Sequence, residues 1–272
     1  MNKAPAIYLE RLSRNEQYRP RREAPWTMPV FAQLERLDFS APVTFLVGDN
    51  GCGKSTLLEA IAVGLGAVPA GAHSLRDDDT MATARVLAAG LRFGRKAFPK
   101  RKLLFRAEDI LGFTRRIVQD IDDLRGIESE LGDSLPDSYG KTLAMATIGN
   151  QRNSLEIGYG RNPHAKSHGE TFLALLRQRL KPGGLYLLDE PETPLSPQRV
   201  LELMSLIREC VQDRCQFIIA THSPMLMALP DSTIRVFEDD TIVSRPWSEL
   251  SHVQLLRDFL NQPERFLSSY TP

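Results

Sequence analysis

The chain has 272 residues, with 34 basic and 34 acidic side chains balancing to a net charge of zero. That length holds one large α/β domain or two small ones with a full core, and the balance excludes a global field drawing the protein to nucleic acid or a membrane, so any such partner must use a local patch. No run nears the roughly 18 apolar residues of a membrane span, the N-terminus lacks a signal-peptide core, and Cys52, Cys210 and Cys215 are too few and scattered for a disulfide framework or metal knuckle. A cytoplasmic, soluble protein is expected.

Two short extended stretches, at 7–12 and 30–39, flank a polar, Arg- and Pro-rich segment at 14–29. The apolar run Val43-Thr44-Phe45-Leu46-Val47 predicts a buried strand, and Leu57-Leu58-Glu59-Ala60-Ile61-Ala62 predicts a helix. Between them, Gly48-Asp49-Asn50-Gly51-Cys52-Gly53-Lys54-Ser55-Thr56 fills the phosphate-loop pattern G-x-x-x-x-G-K-[ST]. A chain of this length holds only about 0.01 such matches by chance. Glycines let successive N–H groups and a helix N-terminus aim at one anion. Lys54 would reach the β- and γ-phosphates, the Ser55 hydroxyl would ligate Mg²⁺, and Asn50, Gly51, Cys52, Gly53 and Thr56 complete the cradle. The segment therefore implies a bound nucleoside triphosphate with magnesium.

Seven basic residues and no acid run from Arg92 to Arg106, which reads first as a solvated face and second as a nucleic-acid contact. An acid-rich helical stretch follows at 108–133, with Ile110, Leu111, Phe113, Ile117, Ile121 and Leu124 at helical spacing. Residues 169–180 predict an amphipathic helix through Phe172, Leu173, Leu175, Leu176 and Leu180. Apolar runs at 185–188 and 217–220 predict central parallel strands, with Cys210 ending the helix between them and Cys215 beginning the second strand. Stretches at 233–237 and 241–245 predict a hairpin. The fold class expected is α/β, a mostly parallel, helix-covered sheet.

Leu185-Tyr186-Leu187-Leu188-Asp189-Glu190-Pro191 describes a strand that delivers two carboxylates at its C-terminal end, where ligands of doubly wound sheets sit. Asp189 would hold Mg²⁺, and Glu190 would orient and deprotonate the attacking water. Ser167-His168-Gly169-Glu170 opens a helix and makes an anion site, and His222 of Thr221-His222-Ser223-Pro224 brings an imidazole to the same sheet edge.

These four elements, in this order from Val43 to Pro224, resemble the ABC-type ATPase domain of the P-loop NTPases. The likeness is to small stand-alone bacterial ATPases with an SHGE signature, related to the heads of DNA-repair and SMC-type ATPases. The resemblance implies an N-terminal antiparallel β segment and an inserted helical subdomain near 71–165. It also implies two heads that sandwich two ATPs as a homodimer, with Ser167 and Gly169 on the γ-phosphate in trans and His222 in cis. His168 replaces the usual signature glycine, the segment from Glu192 to Pro197 lacks the usual dimer-loop aspartate, and no glutamine loop is present. Arg106 and Glu108 stand near its position, with Glu108 the candidate metal or water contact. Tyr18, Trp26 and Phe31 are candidates for adenine stacking, although each also suits the core. The leading expectation is an ATP-hydrolysing dimerisation switch coupled to an unidentified protein partner, in DNA or RNA repair or phage defence. The alternative is the nucleotide-binding subunit of a membrane transporter. No guanine-specifying Asn-Lys-x-Asp motif appears.

Overall fold

A computed structural model of the chain describes residues 6–19, 24–70, 79–134, 138–159 and 168–268. The first third contains β1 (Leu9–Arg14), α1 (Pro29–Ala32), β2 (Arg36–Asp38), β3 (Val43–Gly48), α2 (Lys54–Leu65), β4 (Val68–Pro69), α3 (Ala82–Ala89) and β5 (Leu91–Arg95). The middle contains β6 (Arg101–Arg106), α4 (Ala107–Ser134), α5 (Tyr139–Tyr159), α6 (His168–Arg179) and β7 (Gly184–Asp189). It ends with α7 (Pro197–Gln212), β8 (Gln216–Ala220), α8 (Pro224–Met227), β9 (Ser232–Glu238), β10 (Thr241–Ser244), α9 (Ser251–Asn261) and α10 (Pro263–Leu267).

Strands buried on both faces force the central sheet to be parallel and covered by helices. Its order is β10-β9-β3-β8-β7-β6-β4, and every pairing is parallel except β9 with β10. Side chains alternate between two cores. Phe45, Val47, Tyr186, Leu188, Phe217 and Ile219 pack with Phe172 and Leu176 of α6 and Leu203 and Ile207 of α7. Leu46, Leu185, Leu187 and Ile218 instead pack with Leu58 and Ile61 of α2 and with Leu9 and Leu12 of β1. The hairpin turns at Asp239 and Asp240, both left-handed (φ 46° and 60°), which suits a tight two-residue connection.

A second sheet, β2-β1-β5, is antiparallel throughout, as the resemblance implies. One buried amide joins it to the central sheet. Gln216 opens β8, and its Oε1 accepts from the N–H groups of Tyr8 (2.7 Å) and Leu9 (2.9 Å) while its Nε2 donates to Leu9 O at 2.9 Å. A side chain thus substitutes for a strand neighbour, satisfying backbone groups that would otherwise be buried unpaired.

One expectation needs correction. The stretch at 30–39 is not extended throughout: Pro29 at the first helical position starts the short helix α1, and only Arg36–Asp38 pairs as a strand. Helices α4 and α5 are joined by Arg152 on Glu128 and Arg125 on Glu156 (2.9 Å each), and β5 and β6 before them belong to the two sheets.

Replacing Gln216 with Ala strands three buried backbone groups and should cost about 3 kcal/mol of unfolding free energy. The drop in the urea midpoint measures it, and a loss below about 0.5 kcal/mol, as at an ordinary surface site, would contradict the role assigned to the amide.

Candidate functional site

The phosphate-loop segment leaves β3 at Gly48 and enters α2 at Lys54. Gly53 caps the helix with φ 105°, and a Cβ there would lie 2.7 Å from the Phe31 ring, so conformation and packing both require glycine. The first helical N–H bond runs from Leu57 to Gly53 O. The N–H groups of Lys54, Ser55 and Thr56 therefore have no acceptor one turn back and remain free to face an anion. Lys54 is buried, and its Nζ donates to Gly48 O (2.9 Å) and Asp49 O (2.8 Å), which holds the cation across the loop. Cys52 fills the adjoining space, its Sγ 3.9 Å from Nζ.

Strand β7 ends two places away in the sheet. Asp189 Oδ1 accepts a hydrogen bond from Ser55 Oγ at 3.1 Å, joining the loop to the carboxylate strand. A hydroxyl and a carboxylate at that separation are the hard oxygen donors Mg²⁺ takes. Glu190 follows in the left-handed region (φ 46°), a costly conformation for a residue with a Cβ, fixed by its N–H on Ala220 O at 2.9 Å. The turn brings Glu190 Oε1 to 3.7 Å from Nε2 of His222, just beyond β8. Both side chains are about two-fifths exposed, so the pair opens to solvent. The sequence-predicted residues Lys54, Ser55, Asp189, Glu190 and His222 thus meet at one sheet edge.

Ser167 lies outside the described residues, as do the side chains of His168 and Glu108. Gly169 starts α6 against the segment after β7, where a Cβ would meet Pro194 O at 2.8 Å. Arg199 of α7 pairs with Glu170 beside it. Arg106 is buried and reaches Glu59 (3.5 Å) and Thr80 (3.2 Å), which is a structural use of the charge. Phe31 is fully buried under Gly53, and Trp26 is buried between Tyr18 (5.9 Å) and the Arg14 guanidinium (5.3 Å), so the aromatic candidates serve the core. Within the basic segment, Lys102 donates to Leu65 O and Arg92 bonds Asn15 (3.3 Å), while Lys96, Phe98, Lys100 and Arg101 are exposed.

Two acting side chains escape sequence reasoning. Glu192 Oε1 accepts from Thr221 Oγ1 (2.6 Å), His222 N–H (2.8 Å) and Ser223 N–H (3.0 Å), binding the turn after β7 to the turn after β8. Its only signal was its presence in the segment Glu192 to Pro197, which lacks the usual dimer-loop aspartate. His252, on the first turn of α9, has a buried Nε2 without a hydrogen-bond partner among the described residues. Burial, then the neighbouring His222, push its pKa below the ordinary 6.5, with Asp49 opposing, so α9 begins beside the site. Nothing in the sequence around position 252 marks it.

Two family models match the chain. One, described as "AAA domain", matches residues 30–141 and includes the phosphate loop. The other, described as "AAA domain, putative AbiEii toxin, Type IV TA system", matches 171–228 and includes Asp189, Glu190 and His222. No curated protein matches. Structures similar in fold include an SMC head domain from Pyrococcus furiosus bound to the C-terminal domain of ScpA, at 13% identity over 93% of this chain and 99% of that one, TM-score 0.44. A nucleotide-free ATP-binding cassette from an ABC transporter is 15% identical over 87% of this chain and 90% of that one, TM-score 0.47. The SMC head domain from Thermotoga maritima is 16% identical over 88% and 99%, TM-score 0.40.

A lowered His252 pKa means the unfolded chain takes up that proton first as pH falls, so folding stability declines once pH drops below about 6.5. His252→Gln should therefore flatten the stability slope between about pH 7 and pH 5. Urea unfolding across that range tests it; an unchanged slope would contradict the burial of the imidazole.

Proposed function

We propose that this chain, whose motifs resemble those of ABC-type P-loop ATPases and which matches two AAA-domain family models, binds and hydrolyses MgATP as a two-state switch that closes as a homodimer. The observation that carries the reading is the convergence of three strand ends. Lys54 and Ser55 follow β3, Asp189 and Glu190 end β7, and His222 follows β8, with Ser55 bonded to Asp189 and Glu190 facing His222.

In this reading the loop N–H groups and Lys54 take the phosphate charge, which is most of the work of phosphoryl transfer. Ser55 and Asp189 would hold the magnesium, which neutralises charge developing on the phosphate oxygens. Glu190 orients a water and accepts its proton. His222 of the same copy contacts the γ-phosphate beside Glu190. Ser167 and Gly169 of a second copy complete the enclosure, so the γ-phosphate favours the closed state and its loss favours the open one. Hydrolysis is coupled to an unidentified protein partner in the cytoplasm.

A nucleic acid is a second reading for the coupled partner. Phe98 is 80% exposed, with the Arg95 guanidinium 5.8 Å above its ring and exposed Lys96, Lys100 and Arg101 nearby. An aromatic face among cations suits a stacked, single-stranded base, and steep salt dependence is the mark of such binding.

Glu190→Gln should lower kcat by about 10²-fold or more while ATP still binds, trapping the closed form. Light scattering with ATP then reports a dimer; a monomer at every protein concentration would contradict the proposal.

A further inference from the structure

The carboxylate of Glu192 is spent on the neighbouring turn. We infer that Glu192 is a positioning residue that fixes the backbone of His222, so that the imidazole tip meets the reacting phosphate. This rests on the nucleotide-hydrolysing reading of the site. The chain reverses after β7 through Glu190, whose O accepts from Thr193 N–H (3.1 Å), and Leu195 N–H closes on Glu192 O at 2.8 Å. The turn points the Glu192 side chain back under β8. There Oε1 takes the three donors of Thr221, His222 and Ser223 within 2.6–3.0 Å, and Oε2 is buried with no partner among the described residues. A carboxylate accepting backbone N–H bonds makes the stronger, charge-assisted kind.

The far side of the same turn is also held. Ser223 Oγ accepts from Leu226 N–H (3.2 Å), capping α8, and Trp247 Nε1 donates to Pro224 O at 2.8 Å. The imidazole itself is half-exposed, 3.7 Å from Glu190 and next to His252. Its starting point is set by the backbone, and the backbone is held by Glu192. The water-orienting Glu190 and the sensor His222 become one unit because the residue two beyond Glu190 grips the chain on both sides of His222.

The test compares Glu192→Ala, Glu192→Gln, His222→Ala and the double variant Glu192→Ala/His222→Ala in the full chain, with MgATP as substrate. Displacing a positioned group by about 1 Å costs about 10²-fold, so Glu192→Ala should lose about that in kcat with KM for ATP nearly unchanged. Glu192→Gln keeps an oxygen acceptor and should stay within about fivefold of wild type. The double variant should be no slower than His222→Ala, since residues acting through one another are not additive. Wild-type kcat in Glu192→Ala, or fully additive losses, would overturn the inference. Amide hydrogen exchange at His222 and Ser223 provides a readout independent of turnover: it should accelerate in Glu192→Ala and stay slow in Glu192→Gln. If the wild-type chain hydrolyses no ATP, the proposed function fails, and unchanged exchange in Glu192→Ala separately sinks the role of Glu192.

Discussion

Everything at the site depends on the parallel register of β3, β8 and β7. Leu46 pairs with Ala220, and Ala220 pairs with Asp189, so three strands of separate sequence origin end at one level. The register is held by burial on both faces, because a one-residue slip would exchange Tyr186 and Leu188 for Leu185 and Leu187 against α6 and α7. It would also withdraw Asp189 by about 3.3 Å from Ser55, further than a hydrogen bond can follow. Core packing and the chemistry of the strand ends are therefore one constraint.

Past the strand ends, the short segment after β7 carries the rest of the organisation. Glu190 faces His222, Glu192 grips the turn after β8, and Pro194 presses its carbonyl against Gly169 at the start of α6. One turn therefore touches the Glu190 carboxylate, the His222 backbone and the first turn of α6. In the proposed switch, this turn would be the connection between the nucleotide and the surface offered to a second copy.

The legible parts of this architecture were those encoded locally. The phosphate loop, the carboxylate strand and the terminal hairpin each pack their signal into a dozen residues or fewer, and each forms where the pattern placed it. The extended reading of 30–39 failed because hydrophobic content outweighed Pro29, whose fixed φ begins a helical turn there. Gln216 reads as an ordinary polar residue at a strand start; its use as a strand partner for Leu9 spans 207 positions, which no local pattern can register. The same is true of Glu192 and His252, whose roles depend on which turn the fold sets beside them. Long-range polar contacts were hidden, while apolar periodicity and glycine-rich turns were open to view.

Mixing two inactive chains measures the claim of a shared site most directly. Lys54→Ala disables the nucleotide loop and Ser167→Arg disables the signature, so each variant alone should hydrolyse ATP at least about 10²-fold more slowly than wild type. In a dimer of the two, one site keeps an intact loop from one copy and an intact signature from the other, so an equimolar mixture should recover up to about a quarter of wild-type turnover. No recovery above the separate variants, under conditions where the mixed dimer forms, would contradict the account.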